Sequence, residues 1–319
     1  MGFNQRSSGR GGSPPRGGGN PLPAGNAPSG VQYPLPPELA DVFRGANKST
    51  LNPAVMFDRF APDLSKAGGK KEEWKKQALD MAKGKADSNA LNAYLNRWQA
   101  LVIACGAQPF SMRTDWRFIP GLGRKSALEI GFNFHRYGFP YLPGSAVKGI
   151  ARTYALYELA EKGGLSAGQP EPITNLDKLL EQPDEDFRKE VSKDSPWKGL
   201  TNLLQEVAHF RAVFGTLDQA GGAVFFEAIP AEAFALETDI MNPHYGPYYQ
   251  NKDAPADWHN PVPVAFLTVP PDKPFYFAVG WRRGAAHPEY RSTAEEWLRR
   301  GLRELGAGAK TAAGYGYFK

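Results

Sequence analysis

Apolar residues recur at helical spacing in four parts of the chain. Between 70 and 107 the recurring positions are Trp74, Leu79, Leu91, Leu95, Trp98 and Val102. Gly84 and the polar stretch 87–89 interrupt this region, which predicts two helices rather than one. Further amphipathic helices are predicted over about 145–162, 196–215 and 292–306, the last with Ser292 or Thr293 as its N-cap.

Alternation of apolar and polar residues predicts strands over 110–118 and 126–138. Short β-type runs follow at 221–231, 233–241, 263–269 and 274–281, and a last strand is expected at 314–318. Residues 163–196 are rich in Pro, Gly and charge, so they are predicted to be loop with a short helix. Strands, helix, strands, helix and strand in this order are typical of an α+β fold with a ferredoxin-like (RRM-like) core.

Residues 1–30 differ in composition from the rest of the chain, with nine glycines and five prolines. Such a segment buries too little apolar surface to fold, so a disordered Gly/Pro/Arg tail is expected. Its arginines could follow a phosphate backbone or could serve solubility alone. We expect a partly helical N-terminal region over 31–109. The core is expected over 110–319, with a Tyr/Pro-rich insertion at about 241–263.

The net charge of +5 favours an anionic partner, but it is equally typical of a basic protein without one. The single cysteine, Cys105, excludes an internal disulfide and a thiolate zinc site. Its apolar neighbours predict a buried thiol. Neither a membrane-spanning run nor a signal peptide is apparent, which favours the cytoplasm.

The stretch 135–155, HRYGFPYLPGSAVKGIARTYA, joins a Pro-Gly-Ser turn to a basic helix. Gly144 would permit unusual backbone angles, and Ser145 would cap the helix. Lys148 and Arg152 are four residues apart and share one helix face. With the free N–H groups of the first turn, these residues could bind a phosphate. The alternative is an ordinary capped helix with solvated basic side chains.

A second glycine-rich stretch, LGAGAKTAAGYGYF at 305–318, contains Gly306, Gly308, Lys310 and Thr311. Glycines at this density let a backbone pass close to a ligand, while Lys310 adds charge and Thr311 a hydroxyl group. The stretch lacks the Walker pattern, in which Lys-Ser/Thr begins a helix. This argues against an NTPase.

These two motifs resemble those of the RAMP superfamily of CRISPR proteins, in which a Pro-Gly-Ser turn precedes Lys-Gly and the chain ends in a glycine-rich loop. Two further stretches, DIMNPHYGPYY at 239–249 and WHNPVPVAFLTV at 258–269, resemble one particular subunit of type III-B (Cmr) effector complexes. The resemblance runs from about residue 110 to 319. The helices at 70–107 fit loosely, and the tail lies outside it.

The resemblance implies a non-catalytic subunit that binds the guide RNA (crRNA) near its 3′ spacer end and contributes to target RNA capture in antiviral defence. Its implied partners are guide and target RNA and other RAMP subunits, including the repeated backbone subunit and the end-capping subunit. No cofactor or metal is expected. Candidate RNA-binding residues are Gly144, Ser145, Lys148, Arg152, Gly306, Gly308, Lys310 and Thr311. Arg282 and Arg283, at a predicted strand end, are added because they lie outside the charge pairs expected in the last helix.

Some RAMPs cleave RNA, so an endoribonuclease using His135 or Asp115 is the alternative. His135 precedes the Pro-Gly-Ser turn and could act as a general acid. No partner in a known processing pattern stands beside it. A single Asp among basic residues, such as Asp115, more often forms an ion pair. A generic RRM-like single-strand binder is a third possibility, but the chain lacks the expected aromatic pair in a Gly-Phe context.

Overall fold

The computed structural model describes residues 31–165, 170–192, 196–242, 254 and 263–319. The predicted tail and most of the predicted insertion at 241–263 lie outside these residues. The α-helices of the described part are α1 Pro37–Gly45, α2 Pro53–Asp58, α3 Lys71–Ala82, α4 Ser88–Ala104, α5 Gly144–Lys162, α6 Pro170–Glu181, α7 Asp184–Ser192, α8 Leu204–Phe214 and α9 Arg291–Glu304. None of these helices is long and apolar enough to cross a bilayer.

Seven short strands are described, and every pairing between them is antiparallel. They are β1 Phe110–Arg113, β2 Ala223–Phe225, β3 Ile229–Pro230, β4 Glu237–Met241, β5 Val264–Thr268, β6 Pro274–Phe277 and β7 Val279–Trp281. β1 and β3 flank β6, β2 pairs with β7, and β4 pairs with β5. The β4–β5 hairpin is the base of the predicted insertion.

The central sheet has the strand order of a ferredoxin-like fold. Phe318 bridges Thr114 beside β1, so the segment that contains Phe318 takes the place of a fourth strand. The spatial order is therefore this segment, β1, β6 and β3. Along the chain these elements alternate with α5 and α9 as βαββαβ. The predicted ferredoxin-like α+β core is confirmed, although the predicted last strand is reduced to a single bridge.

Phenylalanine side chains fill the space between this sheet and its helices. The ring of Phe318 contacts Phe118, Phe275 and Phe277 edge to face, with centroids 5.4–5.9 Å apart. All four rings are buried. Edge-to-face pairs of this kind add to the free energy gained by burying the rings. The last residues of the chain are thereby held in the core.

The helices α5 and α9 pack side by side in opposite directions. A Cβ atom at Gly301 would lie 2.9 Å from Cγ2 of Ile150, and the indole N–H of Trp297 donates to Glu158 at 2.7 Å. Later positions of α9 therefore face earlier positions of α5. Consequently, the end of α9 lies beside the beginning of α5.

The helices predicted within 70–107 and over 145–162 are confirmed. By contrast, 126–138 is not a strand. Leu128, Ile130, Phe132 and Phe134 are all buried, as the alternation indicates. However, the backbone N–H of Gly131 donates to Leu122 and that of Asn133 to Pro120, so the segment pairs with its own preceding turn instead of a sheet.

Three other local predictions are wrong, and a fourth is confirmed in part. Residues 163–196 contain two helices, α6 and α7. Of the helix predicted over 196–215, α8 confirms Leu204–Phe214, but the region begins as a 3₁₀ helix, Pro196–Asn202. Tyr290, rather than Ser292 or Thr293, is the N-cap of α9, and the Ser292 hydroxyl donates to the carbonyl of Glu289. Cys105 is exposed because it follows the last turn of α4.

Candidate nucleic-acid interface

The first turn of α5 presents unused backbone donors. The N-cap is Pro143, which extends the chain just before the helix, and no side chain caps this end. Ser145 is thus not the cap, because the helix already includes Gly144. Within the described residues, the N–H groups of Gly144 and Ser145 form no hydrogen bond, whereas those of Ala146 and Val147 both donate to Pro143. Two donors and the positive end of the helix dipole remain available for an anion.

Gly144 is required by a close approach rather than by its backbone angles. Its φ is not in the left-handed region, contrary to the sequence-based expectation. Instead, a Cβ atom here would overlap the carbonyl oxygen of Phe225 at the end of β2. The absence of a side chain lets α5 begin directly against the β2–β3 connection.

Lys148 binds the end of another helix. Its ammonium group donates to the carbonyl oxygen of Phe214, the last residue of α8, at 3.2 Å. Burial, followed by the nearby Arg152 charge, lowers the pKa of Lys148. The Lys148 charge is close to the first turn of α5 but is half-buried against α8.

Arg152 does not reach an open phosphate site. Its guanidinium pairs with Asp177 and, at 2.7 Å, with Glu181, both on α6. It also lies 5.1 Å from the ring centroid of Phe210. Only 19% of the side chain is exposed. Two carboxylates pair with this arginine and connect α5 to α6, and its predicted role in RNA binding stays a prediction.

The glycine-rich loop follows α9 and therefore lies at the same end of the helix pair as the first turn of α5. Gly306, Gly308 and Lys310 all have φ values between 61° and 77°. Glycine adopts this left-handed conformation at little cost, whereas lysine adopts it rarely. The N–H of Ala309 donates to Ile119 at 3.0 Å, which anchors the loop on the segment after β1.

Lys310 is the accessible cation of this loop. Its ammonium group lies 5.9 Å from the ring centroid of Phe266 and forms no ion pair within the described part of the chain. Thr311 begins a 3₁₀ turn, Thr311–Ala313, which precedes the segment 314–318 where the last strand was expected. The structure thus brings the Gly144–Ser145 turn and the Lys310–Thr311 turn to one end of the α5–α9 pair.

Arg282 and Arg283 follow β7 directly, as the sequence predicts. The Arg282 guanidinium donates to the carbonyl of Ala220 at 3.0 Å, and its backbone N–H donates to Gly222. Both arginine side chains are exposed. Arg283 forms no ion pair in the described ranges, so it is the more available of the two.

The two candidates for catalysis, Asp115 and His135, lie in different surroundings. Asp115 pairs with Lys319 at 3.4 Å, and both side chains are largely exposed. His135 is packed among aromatic rings, and burial lowers its pKa. In the part of the chain that the structure describes, no group of three His, Cys, Asp or Glu side chains could hold a metal ion.

The sequence did not predict one cluster of side chains, although His135 was a candidate on its own. Arg97 on α4 and Arg136 in the loop before α5 lie over the rings of Tyr94 and Tyr137, at 5.7 and 5.1 Å from the centroids. His135, Phe139 and Tyr141 complete this aromatic–arginine cluster. The aromatic density of FNFHRYGFPY at 132–141 was the available signal. The sequence did not indicate that α4 contributes, because Arg97 lies about 40 positions before Arg136. Only tertiary packing brings residues this far apart together.

Comparison with known proteins identifies the class to which this fold and site belong. Residues 123–319 match the family model described as the RAMP superfamily. The chain therefore belongs to the RAMP superfamily, as its motifs predict.

Within that class, the chain is similar to the CRISPR system Cmr subunit Cmr6 of Pyrococcus furiosus. The two are 39% identical over 229 residues, which cover 64% of this chain and 65% of that relative. The crystal structure of Cmr6 from Pyrococcus furiosus matches 66% of this chain and 96% of its own, with 35% identity and a TM-score of 0.44. The sequence identity over those 229 residues confirms the predicted resemblance to one Cmr subunit.

A chain in the cryo-EM structure of the Type III-B Cmr-beta bound to cognate target RNA shares the fold. It is 20% identical to this protein and has a TM-score of 0.52. The match covers 80% of this chain and 74% of that one.

Proposed function

We propose that this protein is an RNA-binding structural subunit of a type III-B CRISPR effector complex. The observation that carries the proposal is the antiparallel packing of α5 and α9, which places the Lys310 loop at the end of α5 where two backbone N–H groups have no hydrogen-bond partner among the described residues. Such a site suits a phosphate, because it offers directed donors and a lysine ammonium group. Similarity to Cmr6 supports the assignment to this type of complex.

The RNA would contact the backbone of Gly144, Ser145 and Gly308 and the side chains of Lys310 and Thr311. Gly306 is buried and its N–H donates to Gly301, so it would shape the loop without touching the RNA. Arg283 and Arg282 would extend this basic surface, and Lys148 would add charge from its position against α8. Because most of these contacts recognise phosphate rather than bases, the subunit would accept a guide RNA of any sequence.

The finer part of the proposal concerns position and partners. We place the subunit near the 3′ spacer end of the guide RNA, in contact with target RNA, the repeated backbone subunit and the end-capping subunit. The stretches 239–249 and 258–269 support this position by their resemblance to one Cmr subunit; most of their residues lie outside the described part. The predicted insertion would contact RNA or a neighbouring subunit.

The direct test measures binding of the purified full chain to fluorescent single-stranded RNAs of unrelated sequence across a salt series. Lys310→Ala should weaken binding similarly for every RNA and reduce the slope of log affinity against log salt by about 0.7. Lys178→Ala, which removes an exposed lysine from α6, is the matched control. Equal affinities and slopes for Lys310→Ala and the wild type would contradict the proposal.

Purification of the tagged protein from its own host tests assembly. Short RNAs that share a common 5′ handle should accompany it, together with several RAMP proteins and a large polymerase-like subunit. Ultraviolet crosslinking along those RNAs would then locate the subunit relative to the 3′ end. Recovery of the protein alone, without RNA, would contradict membership of an effector complex.

A further inference from the structure

The aromatic–arginine cluster lies directly beside the first turn of α5. Tyr141 belongs to the cluster and precedes Gly144 by three positions. From the other side, the Tyr94 hydroxyl donates to the carboxylate of Glu227, whose backbone nitrogen would lie 3.5 Å from a Cβ atom at Gly144. The cluster and the proposed phosphate site therefore form one continuous surface.

A rigid turn presents the outer residues of this cluster. The N–H of Gly138 donates to His135 at 2.8 Å, which places Arg136 and Tyr137 at the tip of the turn. The side-chain amide of Asn52 donates to the carbonyl of Arg136 at 2.8 Å. A Cβ atom at Gly138, where φ is +88°, would contact Asn52 and Pro53. Because the turn is fixed from α2, binding a ligand there would cost little conformational entropy.

The rings behind the turn support one another. His135 stacks on Phe139 with centroids 4.5 Å apart and an interplanar angle of 10°. Tyr94 and Tyr141 contact the same imidazole at 4.5 and 5.7 Å. Tyr94, Tyr137 and Tyr141 are each only partly buried, so the cluster exposes aromatic surface to solvent.

The charge of the surface favours an anion. Arg97 and Arg136 are exposed and form no ion pair with any residue that the structure describes. The nearby acid, Glu227, is engaged by the Tyr94 hydroxyl. Burial also lowers the pKa of His135, which favours the neutral form of this stacked ring. Partly exposed aromatic rings bordered by unpaired arginines are typical of surfaces that bind single-stranded nucleic acid.

We propose that the aromatic–arginine cluster is a base-stacking site for the single-stranded RNA whose backbone binds at the first turn of α5. The proposal rests on the proposed function and adds to it a specific role for Tyr137, Arg136 and Arg97. The tyrosine would stack on a base, and the two arginines would bind the adjoining phosphates or stack on their own. A protein partner is the competing occupant, but two unpaired cations next to an anion site favour RNA.

The test uses the full chain and single-stranded RNAs in which one base is 2-aminopurine, whose fluorescence is quenched by stacking. Tyr137→Leu should weaken binding by about tenfold and relieve the quenching, while the salt slope stays unchanged. Arg136→Gln and Arg97→Gln should each reduce the salt slope by about 0.7. Circular dichroism spectra and melting temperatures verify that each variant is folded.

Two matched controls share the chemistry but lie outside the cluster. Tyr157→Leu removes a tyrosine of α5 that is 41% exposed, and Arg188→Gln removes an exposed arginine of α7. Neither should alter quenching. If Lys310→Ala weakens RNA binding while the cluster variants behave like these controls, the stacking site is refuted and the proposed function survives.

Two further outcomes are informative. If the wild-type chain binds no RNA at all, the proposed function fails, and the stacking site fails with it. If the cluster variants bind RNA normally but no longer recover partner proteins from the host, the cluster is a protein interface and the stacking proposal is overturned.

Discussion

Gly144 shows how a single residue can be recognised correctly from the sequence for the wrong reason. A glycine after a proline and before a helix suggests unusual backbone angles. The structure instead puts the carbonyl oxygen of Phe225 where a side chain would be. Gly149, one turn later in α5, has open space around it. Alanine substitution at these two positions of one helix is therefore expected to have opposite effects on stability.

Gly144→Ala should reduce the free energy of unfolding by about 1–3 kcal/mol, because the methyl group forces α5 away from β2. Gly149→Ala should increase it by about 0.5–1 kcal/mol, because alanine favours a helix more than glycine does. Denaturant unfolding of both variants measures the difference. A similar change in the two variants would show that helix propensity alone governs both positions.

Lys148 and Arg152 mark the limit of sequence reasoning at this scale. Their four-residue spacing correctly places them on one face of α5. Their partners, however, come from α8 and α6, elements that are remote in the sequence. Whether a charged side chain is already ion-paired or can bind a ligand depends on such tertiary contacts. The spacing alone therefore could not show that Arg152 is ion-paired, in contrast to Lys310 within the described residues.

At the scale of elements, the burial of the segment 126–138 between β1 and α5 was predicted correctly, but its backbone conformation was not. Alternating apolar residues correctly identified an inward face. Glu129, with φ at 62°, turns the chain within the segment and prevents regular pairing. The carboxylate of this residue binds Lys71 and Lys75 on α3 at 2.6 and 2.9 Å. A helix of the N-terminal region is thereby tied to the core.

Glu129→Gln should destabilise the protein by about 1 kcal/mol at pH 7, because Lys75 is buried and would retain Glu72 alone as its charged partner. The hydrogen bonds from Lys71 and Lys75 lower the pKa of Glu129. Its contribution is therefore present above the ordinary carboxylate pKa of about 4.3 and is lost as the pH falls below it.

Unfolding of the wild type and Glu129→Gln at pH 7 and pH 3 checks both parts of this prediction. Glu73→Gln, an exposed change on α3 itself, is the control and should have little effect. A difference between wild type and Glu129→Gln that persists unchanged at pH 3 would exclude the charge interaction as its cause.

At the scale of the whole molecule, the order of helices and strands was sufficient to predict the ferredoxin-like core. The extent of the sheet was not predictable, because pairing depends on residues far apart in sequence. The N-terminal region also proves to share the core: Phe43, Met56 and Phe57 belong to the same buried cluster as the central sheet. The aromatic–arginine cluster likewise needs α4, the loop before α5 and the β2–β3 connection together.

The pH dependence of the free energy of unfolding should report the burial of His135 in the aromatic–arginine cluster. Because burial lowers its pKa, the His135 imidazole binds a proton less readily in the folded protein than in the unfolded chain. The free energy of unfolding should therefore decrease as the pH falls from 7 to 5. His135→Phe keeps an aromatic ring and should show a smaller decrease. Identical pH profiles for the two proteins would mean that the imidazole is readily protonated in the folded state.

The position of Phe318 in the core also has a kinetic consequence. Arg113 beside it exchanges backbone hydrogen bonds with Lys319, a separation on the order of 200 residues along the chain. Because contacts across such a long loop form late, the edge of β1 that pairs with the segment at Phe318 stays unpaired through most of the folding reaction. During that interval an unpaired strand edge and its phenylalanines are exposed to other chains. We therefore expect slow folding and a tendency to aggregate before the last residues dock, which co-expression with chaperones should relieve.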